Sequence, residues 1–117
     1  MIRAVARTFL DGRTHGFARM AVVVPEVRVA DPAFNLAAHL RLLTRVRDAG
    51  AHYAVCPELG ISGYSCGDLF FQETLLSATR DALGRLAEAT RDWPMAISVG
   101  APVAVDGALF NLSLIHI

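Results

Sequence analysis

Apolar and polar positions alternate along this chain in a way that sets out six elements. Residues 18–24 (ARMAVVV) are rich in β-branched side chains and stop at Pro25, the pattern of a buried strand. Ala30-Asp31-Pro32 follows, and Asp at the cap with Pro at the first helical position is a strong helix start, because Pro lacks an N–H that would go unpaired there. The spacing predicts a helix to about Ala49, stopped by Gly50. Leu36, Leu40, Leu43 and Val46 fall on its inner face, with Arg41, Arg45 and Asp48 opposite. Residues 53–56 (YAVC) form a second short strand ended by Pro57. A loop dense in Gly and Ser runs over 57–67. Asp68 then reads as the cap of a second helix reaching about Arg91, with Leu76, Leu83 and Leu86 inward and an Asp81/Arg85 pair outward. Residues 95–100 (MAISVG) are a third strand. Asp106-Gly107 is a hairpin signal leading into a fourth strand from Leu109. The order β-α-β-α-β-β is an α/β pattern without internal repeats.

Composition narrows what such a domain does. The 117 residues are 54% hydrophobic and 19% charged, with zero formal net charge. That excludes a disordered tail and disfavours a nucleic-acid or polybasic membrane binder, which would show excess positive charge. The apolar share exceeds the roughly 45–50% of ordinary soluble domains, and the chain ends inside an apolar strand. Together these read as part of a longer protein that covers the exposed sheet. The leading residues 1–10 carry Arg3 and Arg7, which interrupt any signal-peptide apolar core, and read as an ordinary leading segment. Apolar runs are too short for a transmembrane helix. Cys56 and Cys66 match neither a disulfide scaffold nor a zinc pattern, and free thiols favour a reducing, cytoplasmic setting.

Several chemistries are absent from the motifs. Gly60-Ile-Ser62-Gly63-Tyr64 approaches a nucleophile elbow but fails at its last position. There is no dinucleotide glycine fingerprint, and no Walker lysine, since all eleven basic residues are Arg. His15, His39, His52 and His116 lack metal-ligand spacing, and His39, near the polar side of the first helix, reads as solvated. What remains is Pro57-Glu58-Leu59. A carboxylate just past the C-terminal end of a strand, held by a preceding Pro, is well placed for chemistry in an α/β fold. Partial burial there would suit it to proton transfer near neutrality. By itself a lone loop Glu is more often a surface residue.

The segment from Gly50 to Tyr64, GAHYAVCPELGISGY, resembles the first active-site segment of the nitrilase (carbon–nitrogen hydrolase) superfamily. The continuation Ser65-Cys-Gly-Asp-Leu-Phe-Phe-Gln72 is narrower and resembles the glutaminase domains of glutamine-dependent NAD synthetases. His15-Gly-Phe-Ala-Arg-Met-Ala21, Val99-Gly-Ala-Pro102 and Phe110-Asn111 fit the same family, whereas residues 112–117 share only its apolar character. The resemblance implies an α-β-β-α sandwich and a Glu, Lys and Cys centre. In that centre the Cys attacks an amide to form a thioester, the Glu moves protons and the Lys stabilises the oxyanion. Glu58 matches the Glu, and Tyr64 matches a residue lining the glutamine pocket, although an aromatic packed under the loop is an equal reading. The family's Lys and Cys are expected downstream of these residues. Cys56 reads as core and Cys66 as a loop residue touching its neighbours. Asp68, Leu69 and Phe70 fall where the family makes domain and subunit contacts, and a helix cap with inward apolar residues explains them equally.

The resemblance also implies glutamine as substrate, ammonia passed to a separate domain that uses ATP and Mg to amidate deamido-NAD, and a homo-oligomer. Neither cofactor is expected within these residues, which alone should be inactive. Two other readings stay open: an amidase or carbamoylase of the same superfamily, and a non-catalytic interaction module.

Overall fold

A computed structural model describes residues 9–116; the reading of residues 1–10 as a leader therefore lies almost wholly outside the described residues. A single four-stranded sheet runs β1 (Met20–Val22), β2 (Tyr53–Val55), β3 (Ala96–Val105) and β4 (Ala108–His116) in that order. β1, β2 and β3 are parallel, and β4 returns antiparallel to β3. Parallel neighbours need a crossover, and α1 (Pro32–Asp48) and α2 (Glu73–Ala89) supply the two. The expected α/β order is present.

α1 begins as its sequence requires. Asp31 Oδ1 accepts from the Phe34 N–H at 3.0 Å, and Pro32 occupies the first turn. Gly50 ends it with φ 78°, a left-handed conformation natural to glycine, and donates back to Arg47 O. Leu36 and Leu43 are buried, with Leu40 and Val46 packed on the core beside them.

The start of the second helix differs from the expectation. Asp68 is exposed and belongs to a separate 3₁₀ turn, Gly67–Phe71. Gln72 is extended and breaks the path, so α2 starts at Glu73, with Gln72 O receiving the N–H groups of Leu75 and Leu76. Asp68 is therefore no cap of α2, and Leu69 and Phe71 face solvent. Leu76 and Leu86 are buried as expected, but Asp81 and Arg85 form no pair; Arg80 instead lies 4.0 Å from Glu73.

β3 runs five residues past the expected end at Gly100. Pro102 falls beyond the last residue of β3 paired to β2, Ser98, where a missing N–H is tolerated. The hairpin turn forms at Asp106 and Gly107, both with positive φ (50° and 79°), as a two-residue primed turn demands.

Strand alternation sorts the sheet into two faces. Val23, Ala54, Ile97, Val99 and Ala101 pack with the helices in one core. Met20, Val22 and Ile115 are exposed on the other face. No helix among the described residues is long and apolar enough to cross a membrane.

Candidate active site

The loop after β2 carries the site. Pro57 to Gly60 forms a tight turn closed by the Gly60 N–H on Pro57 O at 3.2 Å, with Leu59 held at φ 51°. A leucine in the left-handed region costs on the order of 1 kcal/mol, so the surroundings must impose it. One such constraint is Gly100. A Cβ there would stand 2.5 Å from both Leu59 N and Pro57 O, and 2.8 Å from Glu58 Cα. The turn thus rests directly on the backbone of β3. The Ile61 N–H also donates to Gly100 O, at 3.3 Å.

Glu58 projects from this turn toward β4, where Asn111 Nδ2 donates to its Oε1 at 2.6 Å. The expected partial burial is not found: Glu58 is exposed. Its orientation comes from the amide of Asn111 instead. In the sequence Asn111 belongs only to the family resemblance; the register that brings it across a 53-residue separation is set by the β3–β4 hairpin. An open cleft of about 340 Å³ is lined by Cys56, Pro57, Glu58, Gly100, Asn111 and Ser113. Beside it lies an apolar pocket of about 240 Å³, which shares Asn111 and is walled by Leu59, Phe70, Pro102, Leu109 and Phe110.

Tyr64, on the same loop, is 66% exposed rather than packed beneath it, and it lines neither of these two cavities. Ser62 is fully buried, its Oγ bonded to Leu59 O and Gly63 O, which removes it as a nucleophile. Cys66 is buried, its thiol directed at Ser62 O and Gly63 O. Both cysteines are free. Among the described residues no three His, Cys, Asp or Glu side chains converge as a metal-ligand set.

Cys56 packs in the core, and burial pushes its thiol up to about 11. At pH 8 its thiolate population is then about 100-fold below that of an ordinary thiol. Iodoacetamide should alkylate the Cys56 peptide of the folded chain at least about 100-fold more slowly than that of the unfolded chain, read by mass spectrometry. Equal rates would contradict its burial.

His39 corrects another expectation. It is fully buried rather than solvated. α1 packs on two sides: its leucines meet the sheet, while Asn35 and His39 lie under the 57–64 loop. Desolvation pushes the His39 pKa down, against an opposing contribution from its bond to Asn35 O, so the ring is neutral at pH 7.

A sheet parallel from β1 to β3 and backed by two helices, with a Pro-Glu turn at the end of its second strand, meets a matching family profile. The carbon-nitrogen hydrolase profile covers residues 19–115, and the chain belongs to that family. Its similarity runs further to one kind of member. It is 36% identical over 107 residues to the glutamine-dependent NAD(+) synthetase of Mycobacterium tuberculosis (strain ATCC 25618 / H37Rv), and 34% identical to that of Mycobacterium leprae (strain TN). Each match covers 92% of this chain, which spans only 16% of those relatives. The fold superposes on a glutamine-dependent NAD(+) synthetase from Cytophaga hutchinsonii with a TM-score of 0.78, over 85% of this chain and 17% of that one, at 21% identity. An amidase from Nesterenkonia sp. superposes at 0.60 over 73% of this chain and 32% of its own, with 28% identity.

Proposed function

We propose that this chain supplies the Glu-bearing part of a glutaminase that feeds ammonia to NAD synthesis. The observation that carries the reading is Glu58: the family match spans it, a strained turn presents it at a cleft, and an amide of the neighbouring strand orients it. In this reading the Glu58 carboxylate takes the proton of an attacking cysteine thiol as sulfur adds to the side-chain amide carbon of glutamine. Glu58 returns that proton to the departing nitrogen, ammonia leaves, and water activated by the same carboxylate releases glutamate from the thioester. Asn111 limits which way the carboxylate swings. Tyr64, exposed on the same loop, is assigned to the glutamine pocket.

The chain contains no Lys, and Cys56 is a core residue, so the oxyanion-stabilising Lys and the nucleophilic Cys are assigned to residues outside these 117. So is the ATP- and Mg-dependent amidation of deamido-NAD. A cytoplasmic, homo-oligomeric enzyme with no nucleic-acid or membrane partner completes the proposal. The 117 residues alone are then inactive on glutamine.

A second reading, an amidase, is favoured by the 28% identity to the Nesterenkonia enzyme. The enzyme containing this chain should be assayed for ammonia release from glutamine, from a short aliphatic amide and from an N-carbamoyl amino acid, with NAD formation followed in parallel. Glutamine turnover coupled to NAD formation is expected. Preferred turnover of the aliphatic amide or the carbamoyl compound, without NAD formation, would replace the glutaminase reading.

A further inference from the structure

Two buried polar side chains of α1 have no evident purpose in a helix packed on a sheet. Asn35 and His39 are each fully buried and lie one turn apart. Asn35 Nδ2 donates to Ile61 O at 2.9 Å and to Arg28 O at 2.8 Å, while its Oδ1 accepts from the Arg28 N–H at 2.7 Å. One side chain thereby ties the loop following Glu58's turn to the segment that leads into α1. The neighbouring backbone repeats the tie, since the Ala30 N–H donates to Ser62 O at 2.8 Å.

His39 touches the turn itself. Its Nδ1 lies 2.7 Å from Asn35 O, and a carbonyl only accepts, so Nδ1 carries the hydrogen and Nε2 bears a lone pair. That Nε2 is buried without a hydrogen-bond partner. It faces Gly60, where a Cβ would stand 2.7 Å from it. An orphaned buried acceptor is destabilising, and an aliphatic side chain at position 39 would avoid that cost. Unsatisfied buried groups of this kind concentrate where the structure serves something besides stability.

The turn bearing Glu58 is therefore gripped from two sides, by Gly100 of β3 and by the His39 ring edge on Gly60, with Asn35 pinning the residue that follows. We propose that Asn35 and His39 are positioning residues for Glu58, holding its turn in the strained conformation that keeps the carboxylate against Asn111. The catalytic meaning rests on the reading of Glu58 as the proton-transfer group; the grip on the turn does not.

The test is amide exchange on the enzyme that contains this chain. His39→Leu removes the ring edge while keeping an apolar body, and Asn35→Ala removes the three bonds. In each variant, exchange at Gly60, Ile61 and Gly63 should rise at least about 10-fold, while amides in the β2–β3 ladder keep their protection. The Asn111 side-chain amide should lose its bonded chemical shift. Turn amides that change only in step with the ladder would overturn the proposal. So would failure of both variants to fold, which would make the pair core residues rather than holders of one turn. Within the active enzyme, the same variants should lower kcat by up to about 100-fold with little change in KM, and His39→Gln should recover part of it. Selective exchange with unchanged kcat would keep the grip and overturn its catalytic role. A Glu58→Gln enzyme that stays fully active would instead overturn the reading on which that role rests.

Discussion

Replacing Glu58 by glutamine in the enzyme that contains this chain is expected to cut glutamine-supported NAD formation by about 10²–10⁴-fold, with NAD formation from added ammonia largely preserved. Glutamine keeps the shape of the side chain and can still bond Asn111, because its amide oxygen accepts from Nδ2 as the carboxylate oxygen does. What it loses is the capacity to take a proton from a thiol. The loss should therefore fall on kcat, with folding untouched: Glu58 is exposed, so the substitution neither opens a cavity nor strands a buried charge. The split between the two nitrogen sources separates chemistry from structure. A structural Glu would impair both activities together. Full glutamine-dependent activity in the folded variant would remove Glu58 from the mechanism.

The elements of this fold were legible where the local signal and the tertiary outcome coincide. Asp31-Pro32 and Gly50 bracket α1 because a cap and a left-handed stop are decided by the residues themselves. Asp106-Gly107 turns the hairpin for the same reason. Asp68 misled because a good cap residue is only an opportunity: Gly67, at φ 54°, sends the chain into a 3₁₀ turn, and extended Gln72 delays the helix. His39 misled because helical periodicity locates the face toward the sheet, marked by Leu36 and Leu43. It says nothing of a second face covered by a loop whose path depends on Gly100, forty residues beyond the Glu58 turn. The identity of Glu58 as the residue to examine came from its motif. Its partner Asn111 lay out of reach, since only the strand register brings the two together. The exposure of Glu58 was equally invisible, because burial depends on what packs over a turn and not on the residues that form it.

Among the glycines, Gly100→Ala should have the largest effect of an added methyl group. The new Cβ would stand 2.5 Å from the Leu59 nitrogen and the Pro57 oxygen, and 2.8 Å from Glu58 Cα. All three are backbone atoms in a turn already held at positive φ, so no flexible side-chain end is available to swing aside. Either β3 or the turn must move. Overpacking of this kind costs about 1–3 kcal/mol, and lifting the turn also loosens the bond from the Ile61 N–H to Gly100 O. The same methyl at Gly84 provides the contrast. Gly84 is exposed inside α2, and a Cβ there meets nothing within 4 Å. Alanine restricts the unfolded chain and favours the helix, so Gly84→Ala should stabilise by about 0.5–1 kcal/mol. Urea unfolding of the two variants should thus shift the midpoint in opposite directions. The Gly100→Ala chain should also lose the Glu58–Asn111 contact, which the side-chain amide resonance of Asn111 reports, while Gly84→Ala keeps it. An unaltered midpoint and an unaltered Asn111 resonance in Gly100→Ala would mean that the Glu58 turn does not rest on β3. In that case its strained conformation would have to be imposed from the α1 side alone, by Asn35 and His39.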